Sequence, residues 1–319
     1  MGTPEFAVAP LRALVEGGYR VVAVVTMPDK PIGRGLKVQA SPVKQYALSQ
    51  QIPVLQPERL KDESFVAELR AFRAHLQVVV AFRMLPEVVW NMPPMGTFNL
   101  HASLLPQYRG AAPIQWAVMN GDAQTGVTTF LLKQEIDTGN ILLQESLDVA
   151  PDEDGGSVHD RLMALGASMV PRTVDLLLSG DFRAVPQDEL THEALRPAPK
   201  LFKDNTRLDW NRPANTLYNM VRGLSPYPCA WTEFEVRVAA ANGAVRSERI
   251  TFKIQETAAE IRTGVPEVPG TVLTDGRRYM KVAVADGYLW IKKLQPAGKK
   301  PMAVEDYLRG FQSAPGFQS

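Results

Sequence analysis

The sequence predicts an α/β protein, with a doubly wound, mostly parallel sheet followed by a small β-barrel domain of the OB-like kind. Three observations predict it. Over residues 1–182, short β-branched runs alternate with amphipathic stretches, the pattern of strands joined by helical crossovers. Prolines and scattered charges at 183–205 read as a linker, and residues 206–319 then break into short strands with Gly turns, as small barrels do. A chain of 319 residues also exceeds what one ordinary core organises.

Each element has a local reason. Phe6–Glu16 reads as a helix and Arg20–Thr26 as a buried parallel strand. Ser41-Pro42 opens a helix, with Ser as N-cap and Pro in the first turn. Pro53–Gln56 is a short strand, and Asp62–Ala74 a helix with Phe65, Leu69 and Phe72 on one side. Gln77–Ala81, Thr97–His101 and Val127–Leu132 are further strands. A fold of this kind should open with a strand, whereas this chain opens on Gly2-Thr3-Pro4, which reads as the turn after one; the first strand is expected to be missing. Beyond the linker come a helix near Ala214–Gly223 and strands at Trp231–Val238, Arg249–Ile254, Gly270–Leu273, Met280–Ala285 and Tyr288–Leu294.

Composition bounds the function. Hydrophobic residues make up 45% and charged residues 22%, a folding rather than a disordered balance. No uninterrupted apolar run reaches the roughly 18–20 residues of a membrane helix, and Met1–Phe6 lacks the basic and apolar regions of a secretory signal. The single cysteine, Cys229, rules out an intrachain disulfide and reads as buried packing, in keeping with the cytoplasm. A net charge of +1 is not that of a polycation, and nothing in the sequence demands a partner subunit, so a monomer is expected. There is no Walker loop or GxGxxG for a nucleotide. His75, His159 and His192 show no metal-ligand spacing.

Chemistry concentrates in Phe98–Pro113, FNLHASLLPQYRGAAP. Asn99 and His101 stand two apart on a strand and share a face, at the end where open α/β sheets bind ligands. Two donors aimed at one point suit a developing oxyanion. Asp137, in a Gly-ended turn after a strand, could border the same cleft and hold the imidazole in position; Glu135 is the rival carboxylate.

Asn99-x-His101-x-Ser103-Leu104-Leu105-Pro106-x-Tyr108-Arg109-Gly110, with Ile136-Asp137-Thr138-Gly139, resembles the signature of the folate-dependent formyltransferases. Pro28-Asp29-Lys30-Pro31-x-Gly33-Arg34-Gly35, Gly110–Ala117 and Leu294–Met302 are similar to stretches of those members whose acceptor is methionine carried on tRNA. The resemblance runs from Met1 to about Gly310. It implies 10-formyltetrahydrofolate as formyl donor, no metal, and initiator methionyl-tRNA as acceptor. It further implies Asn99, His101 and Asp137 as catalytic residues and Ser103, Leu104, Leu105 and Pro106 at the folate. The Gly-rich loop carrying Lys30, Arg34 and Lys37 would enter the tRNA acceptor end, and Lys299 and Lys300 would touch tRNA backbone. An amino sugar or a nucleotide remains an alternative acceptor, and a binding module without catalysis an alternative role. Phe82-Arg83 departs from the Tyr-Gly common in the family, and Leu132–Ile136 departs before the aspartate.

Overall fold

The valine-rich runs become strands, though not all at their expected length or direction. In the computed structural model, which describes residues 1–32, 37–190, 194–239, 245–310 and 317–318, the chain divides into two units. Met1–Pro113, Gln124–Asp148 and His159–Pro199 form one; Ile114–Ala123, Val149–Val158 and Lys200–Ser319 form the other.

The first unit contains α1 (Val8–Glu16), β1 (Val24–Val25), β2 (Lys30–Ile32), β3 (Lys37–Gln39), α2 (Pro42–Ser49), β4 (Val54–Leu55), α3 (Glu63–Ala71), β5 (Gln77–Val80), α4 (Glu87–Trp90) and β6 (Thr97–His101). Then come α5 (Pro113–Met119), which passes into the second unit, β7 (Gln124–Leu131), β8 (Ile141–Asp148) and α6 (Gly155–Ser179). Ser41 caps α2 as its sequence requires, its hydroxyl accepting from Lys44 N at 3.1 Å. Phe65, Val66 and Leu69 bury the apolar side of α3. The expected strand over Arg20–Thr26 contracts to Val24–Val25, which pairs in parallel with β4.

The sheet β5-β6-β7-β8 is mixed, which corrects the mostly parallel expectation. β5 and β6 run parallel, while β7 is antiparallel to both β6 and β8. The reason is connection length: β7 and β8 are joined by the short turn 132–140, and a turn that short cannot make a parallel crossover. Neither β8 nor α6 was anticipated from the sequence. By length and mean hydropathy (1.2) α6 could cross a membrane. Within the first unit, however, it buries Leu162, Met169, Val170, Val174 and Leu177. Its Thr173 hydroxyl is 2.9 Å from that of Thr129 on β7, and Gly166 lies against Leu100 on β6. It is a core helix.

Met1 and Gly2 lie between β1 and β5, where a first strand was expected to be missing. Gly2 N donates to Val25 O at 3.1 Å, Val80 N donates to Met1 O at 2.9 Å, and Met1 N donates to Val78 O at 2.6 Å. Two described positions of the expected linker pack within the first unit. Val185 exchanges two backbone bonds with Ile141, and Ala198 is fully buried against Arg109–Ala112.

The second unit adds α7 (Ala214–Leu224), β9 (Ala230–Ala239), β10 (Val245–Ile261), β11 (Val272–Thr274), β12 (Met280–Val284), β13 (Gly287–Pro296), β14 (Met302–Ala303), α8 (Val304–Arg309) and β15 (Phe317–Gln318). Its antiparallel sheet runs β11-β12-β13-β10-β9-β15, with β14 on β13. Leu217, Val221 and Leu224 of α7 enter a core with Phe252, Ile254, Leu289 and Ile291. Cys229 of this unit is buried, its thiol donating to Pro226 O at 2.8 Å.

Candidate active site

The site lies at the carboxyl end of β6, an interior strand between β5 and β7. Asn99 and His101 are alternate residues on it and share one face. His101 is 6% exposed and its ring stands edge-on to Phe130 of β7, centroids 6.5 Å apart. His101 Nε2 is 2.9 Å from Tyr108 O. A carbonyl only accepts, so Nε2 carries the proton and the lone pair of the neutral ring lies on Nδ1. Nδ1 faces Asp137 Oδ2 at 3.9 Å, which is ion-pair range without a direct hydrogen bond.

Asp137 is held from outside its own turn. Its backbone is left-handed (φ +53°), a costly conformation for a non-glycine residue. Its Oδ2 accepts from Gly110 N at 2.9 Å. Two glycines make this approach possible. A Cβ on Gly110 (φ +126°) would lie 2.4 Å from Ala198 O, and one on Gly139 would lie 1.6 Å from Leu131 O. Glu135, the rival carboxylate, is exposed on the surface of the turn.

Ser103–Pro106 leaves β6 and closes on a cis Leu105–Pro106 bond. Ser103 is fully buried and its hydroxyl donates to Gln107 O at 2.7 Å; Leu105 packs into a cluster with Phe130 and Ile141. The sequence reading missed what holds this turn. Thr128 Oγ1 donates to Ser103 O at 2.6 Å and accepts from Leu105 N at 3.2 Å. Gln144 Nε2 donates to Leu105 O and to Thr128 Oγ1, both at 2.9 Å. Neither residue belongs to the motifs of Phe98–Pro113 or Ile136–Gly139; Thr128 is a buried polar position on β7, while Gln144 is exposed on β8 and carries no signal in the sequence. Asn99 Oδ1, by contrast, is buried with no hydrogen-bond partner among the described residues. A buried acceptor oxygen left unmet by the protein is suited to meeting an N–H or O–H of a ligand.

Lys30 is exposed on β2, Lys37 pairs through its backbone with Ile32, and Arg34 lies outside the described residues, as does His192. Asp29, at the start of that loop, is bonded by Lys44 Nζ at 2.5 Å and Gln56 Nε2 at 2.8 Å, which hold its carboxyl below the usual range. Lys299 and Lys300 are exposed after β13 in the second unit. Arg83 donates to the carbonyls of Pro57 and Glu58. His75 is exposed, and His159 pairs with Asp160 beside Phe6.

A strand-end amide, imidazole and carboxylate thus lie together on the α/β unit, and an antiparallel β unit follows it in the chain. The chain belongs to the formyl transferase family: the formyl transferase domain matches residues 1–174 and the formyl transferase C-terminal domain residues 200–312. It is 60% identical over 316 residues to the methionyl-tRNA formyltransferase of Parabacteroides distasonis, covering 98% of this chain and 94% of that one. Among solved structures it resembles the sugar 3N-formyl transferase WlaRD (TM-score 0.62, 16% identity, 94% of this chain and 97% of that one). It also resembles HypX from Aquifex aeolicus (TM-score 0.54, 19% identity, 83% of this chain) and spans 43% of that protein's length. At these identities the solved structures show likeness of fold alone.

Thr128→Val is expected to lower the unfolding free energy by about 2–4 kcal/mol, because it strands Ser103 O and Leu105 N inside the core. Urea denaturation measures this. A loss under about 0.5 kcal/mol, the range of an ordinary surface change, would mean the turn is held otherwise.

Proposed function

We propose that the chain transfers the formyl group of 10-formyltetrahydrofolate to the α-amine of methionine on initiator tRNA, through Asn99, His101 and Asp137. The observation that carries the assignment of the residues is the placement of Asn99, whose buried amide oxygen has no partner among the described residues, on the same strand face as His101, whose Nδ1 looks toward Asp137. The acceptor follows from the high identity to relatives named methionyl-tRNA formyltransferase along nearly the whole chain. Such an acceptor places the work in the cytoplasm. We read the chain as a monomer and the antiparallel unit as OB-like, with Lys299 and Lys300 at tRNA backbone and the Lys30–Lys37 loop, Arg34 included, at the acceptor end.

The donor supplies a formyl group on an aromatic amine nitrogen, activated for attack by an amine. The attacking amine forms the new C–N bond, the bond to the donor nitrogen breaks, and the proton lost by the amine is matched by one gained at the donor nitrogen. Asn99 donates an amide N–H to the formyl oxygen as negative charge grows there. His101 contributes through Nδ1, because Nε2 is committed to Tyr108 O. Nδ1 is therefore the atom that takes up or gives a proton, and the Asp137 carboxylate sets its orientation and offsets the imidazolium charge. No serine or cysteine nucleophile is required, since the attacking group is the acceptor's own amine. Ser103–Pro106 shapes the folate side through its backbone and through Leu104, as the Ser103 hydroxyl is already spent on Gln107.

Incubating methionyl-tRNA and 10-formyltetrahydrofolate with the protein is expected to yield formylmethionyl-tRNA, and no product would refute the reading. Asn99→Ala is expected to lower turnover about a hundredfold or more, the usual cost of one oxyanion donor, and His101→Ala about a hundredfold or more, the usual cost of a proton-transfer group, while folate binding measured by calorimetry stays nearly intact in both. Turnover near normal would remove either residue from the mechanism. Lys299→Ala with Lys300→Ala is expected to flatten the salt dependence of tRNA affinity; an unchanged slope would remove those contacts.

A further inference from the structure

We infer that Gln187 is a positioning residue for the transfer reaction, fixing the Asp137 turn that faces His101. The inference rests on the reading of Asn99, His101 and Asp137 as the transfer site. Gln187 lies in the stretch that the sequence presents as linker, yet it is 3% exposed. Its side chain makes four hydrogen bonds. Nε2 donates to Asp137 O and to Gly139 O, both at 2.8 Å. Oε1 accepts from Arg109 Nε at 2.9 Å and Arg109 Nη2 at 2.7 Å. The chemistry of the partners fixes the orientation of the amide, since a guanidinium only donates and a carbonyl only accepts.

The consequence lies in what these bonds join. Arg109 precedes Gly110, whose N–H holds the Asp137 carboxylate. The two segments that flank His101 are thus linked twice, once through the Asp137 side chain and once through Gln187. Asp137 needs such support, because a left-handed non-glycine residue persists only when its surroundings enforce it. The backbone of Gln187 is itself anchored, as Val185 exchanges N–H···O bonds of 2.8 and 2.9 Å with Ile141 at the start of β8. A neutral amide is the side chain that fits. A carboxylate would still serve Arg109, but would set its other oxygen against two carbonyl oxygens; a leucine would leave the guanidinium and both carbonyls unmet. Gln187 touches none of the three catalytic side chains, so its effect passes through the backbone of Asp137.

The test is a cycle of Gln187→Leu, Asp137→Ala and the double variant in the formylation assay, with Gln187→Glu alongside. Gln187→Leu is expected to reduce kcat ten- to a hundredfold, the range of an ångström-scale misplacement, with KM for the formyl donor within about threefold. In the Asp137→Ala background the same change is expected to alter kcat by less than about threefold, because the group it positions is gone. Gln187→Glu is expected to lose activity at high pH and regain part of it as pH falls, since the protonated acid recovers one donor. Losses that multiply in the double variant, an unchanged kcat in Gln187→Leu, or a wild-type pH profile in Gln187→Glu would each overturn the inference. If Gln187→Leu does not fold, the near-isosteric Gln187→Glu carries the test through its pH profile. Near-normal activity in Asp137→Ala would instead remove the reading of the site, so the two failures are distinguishable.

Discussion

The site turns on one hydrogen bond, from His101 Nε2 to the carbonyl of Tyr108. It decides which ring nitrogen is available, and it ties the end of β6 to the chain seven residues on. Everything that faces Nδ1 is then set by how Tyr108–Gly110 lies. That segment is bonded on its far side by Arg196 and Ala198, with Tyr108 N donating to Arg196 O at 2.7 Å and Ala198 N to Arg109 O at 2.9 Å. A polar constellation placed at the end of an apolar sheet survives because nearly every buried polar atom in it has a partner.

The exceptions are informative for the same reason. Thr128, Gln144, Ser103 and Gln187 are each satisfied within the protein, and all of them hold backbone in place. Asn99 Oδ1 is not satisfied. The contrast separates groups that build the cleft from a group left to meet what enters it. The two glycines act on the same economy of space, since neither the Arg109-Gly110 bend nor the Asp137 turn could close over its neighbour's carbonyl with a Cβ present.

Much of this was legible in the sequence, for physical reasons that can be named. Gln77–Val80 and Thr97–His101 are short β-branched and aromatic runs bounded by turns, and Ser41-Pro42 is a local capping signal; such features need only near neighbours. The i, i+2 relation of Asn99 and His101 follows from strand geometry alone. Strand direction does not, because alternation of burial is the same in parallel and antiparallel ladders. The sheet was therefore expected to be mostly parallel, and the β7–β8 hairpin showed otherwise. Arg20–Thr26 carries strand propensity along its length, yet only Val24 and Val25 find ladder partners. Gln187 was invisible for a different reason. Its partner Asp137 lies fifty residues away in the chain, and one glutamine among prolines and charges carries no local mark. Asp137 itself was found by its Gly-ended turn, but its 3.9 Å approach to His101 is a tertiary fact.

The tautomer of His101 tests the account most directly. Nitrogen-15 NMR of histidine-labelled protein, with His101 identified by its loss in His101→Asn, reads which ring nitrogen holds the proton in the neutral form. The neutral ring is expected as the Nε2–H tautomer, bonded to Tyr108 O with Nδ1 open toward Asp137. A neutral ring protonated on Nδ1, hydrogen-bonded to the Asp137 carboxylate with Nε2 as acceptor, would contradict it, because the nitrogen assigned to the chemistry would then be the wrong one.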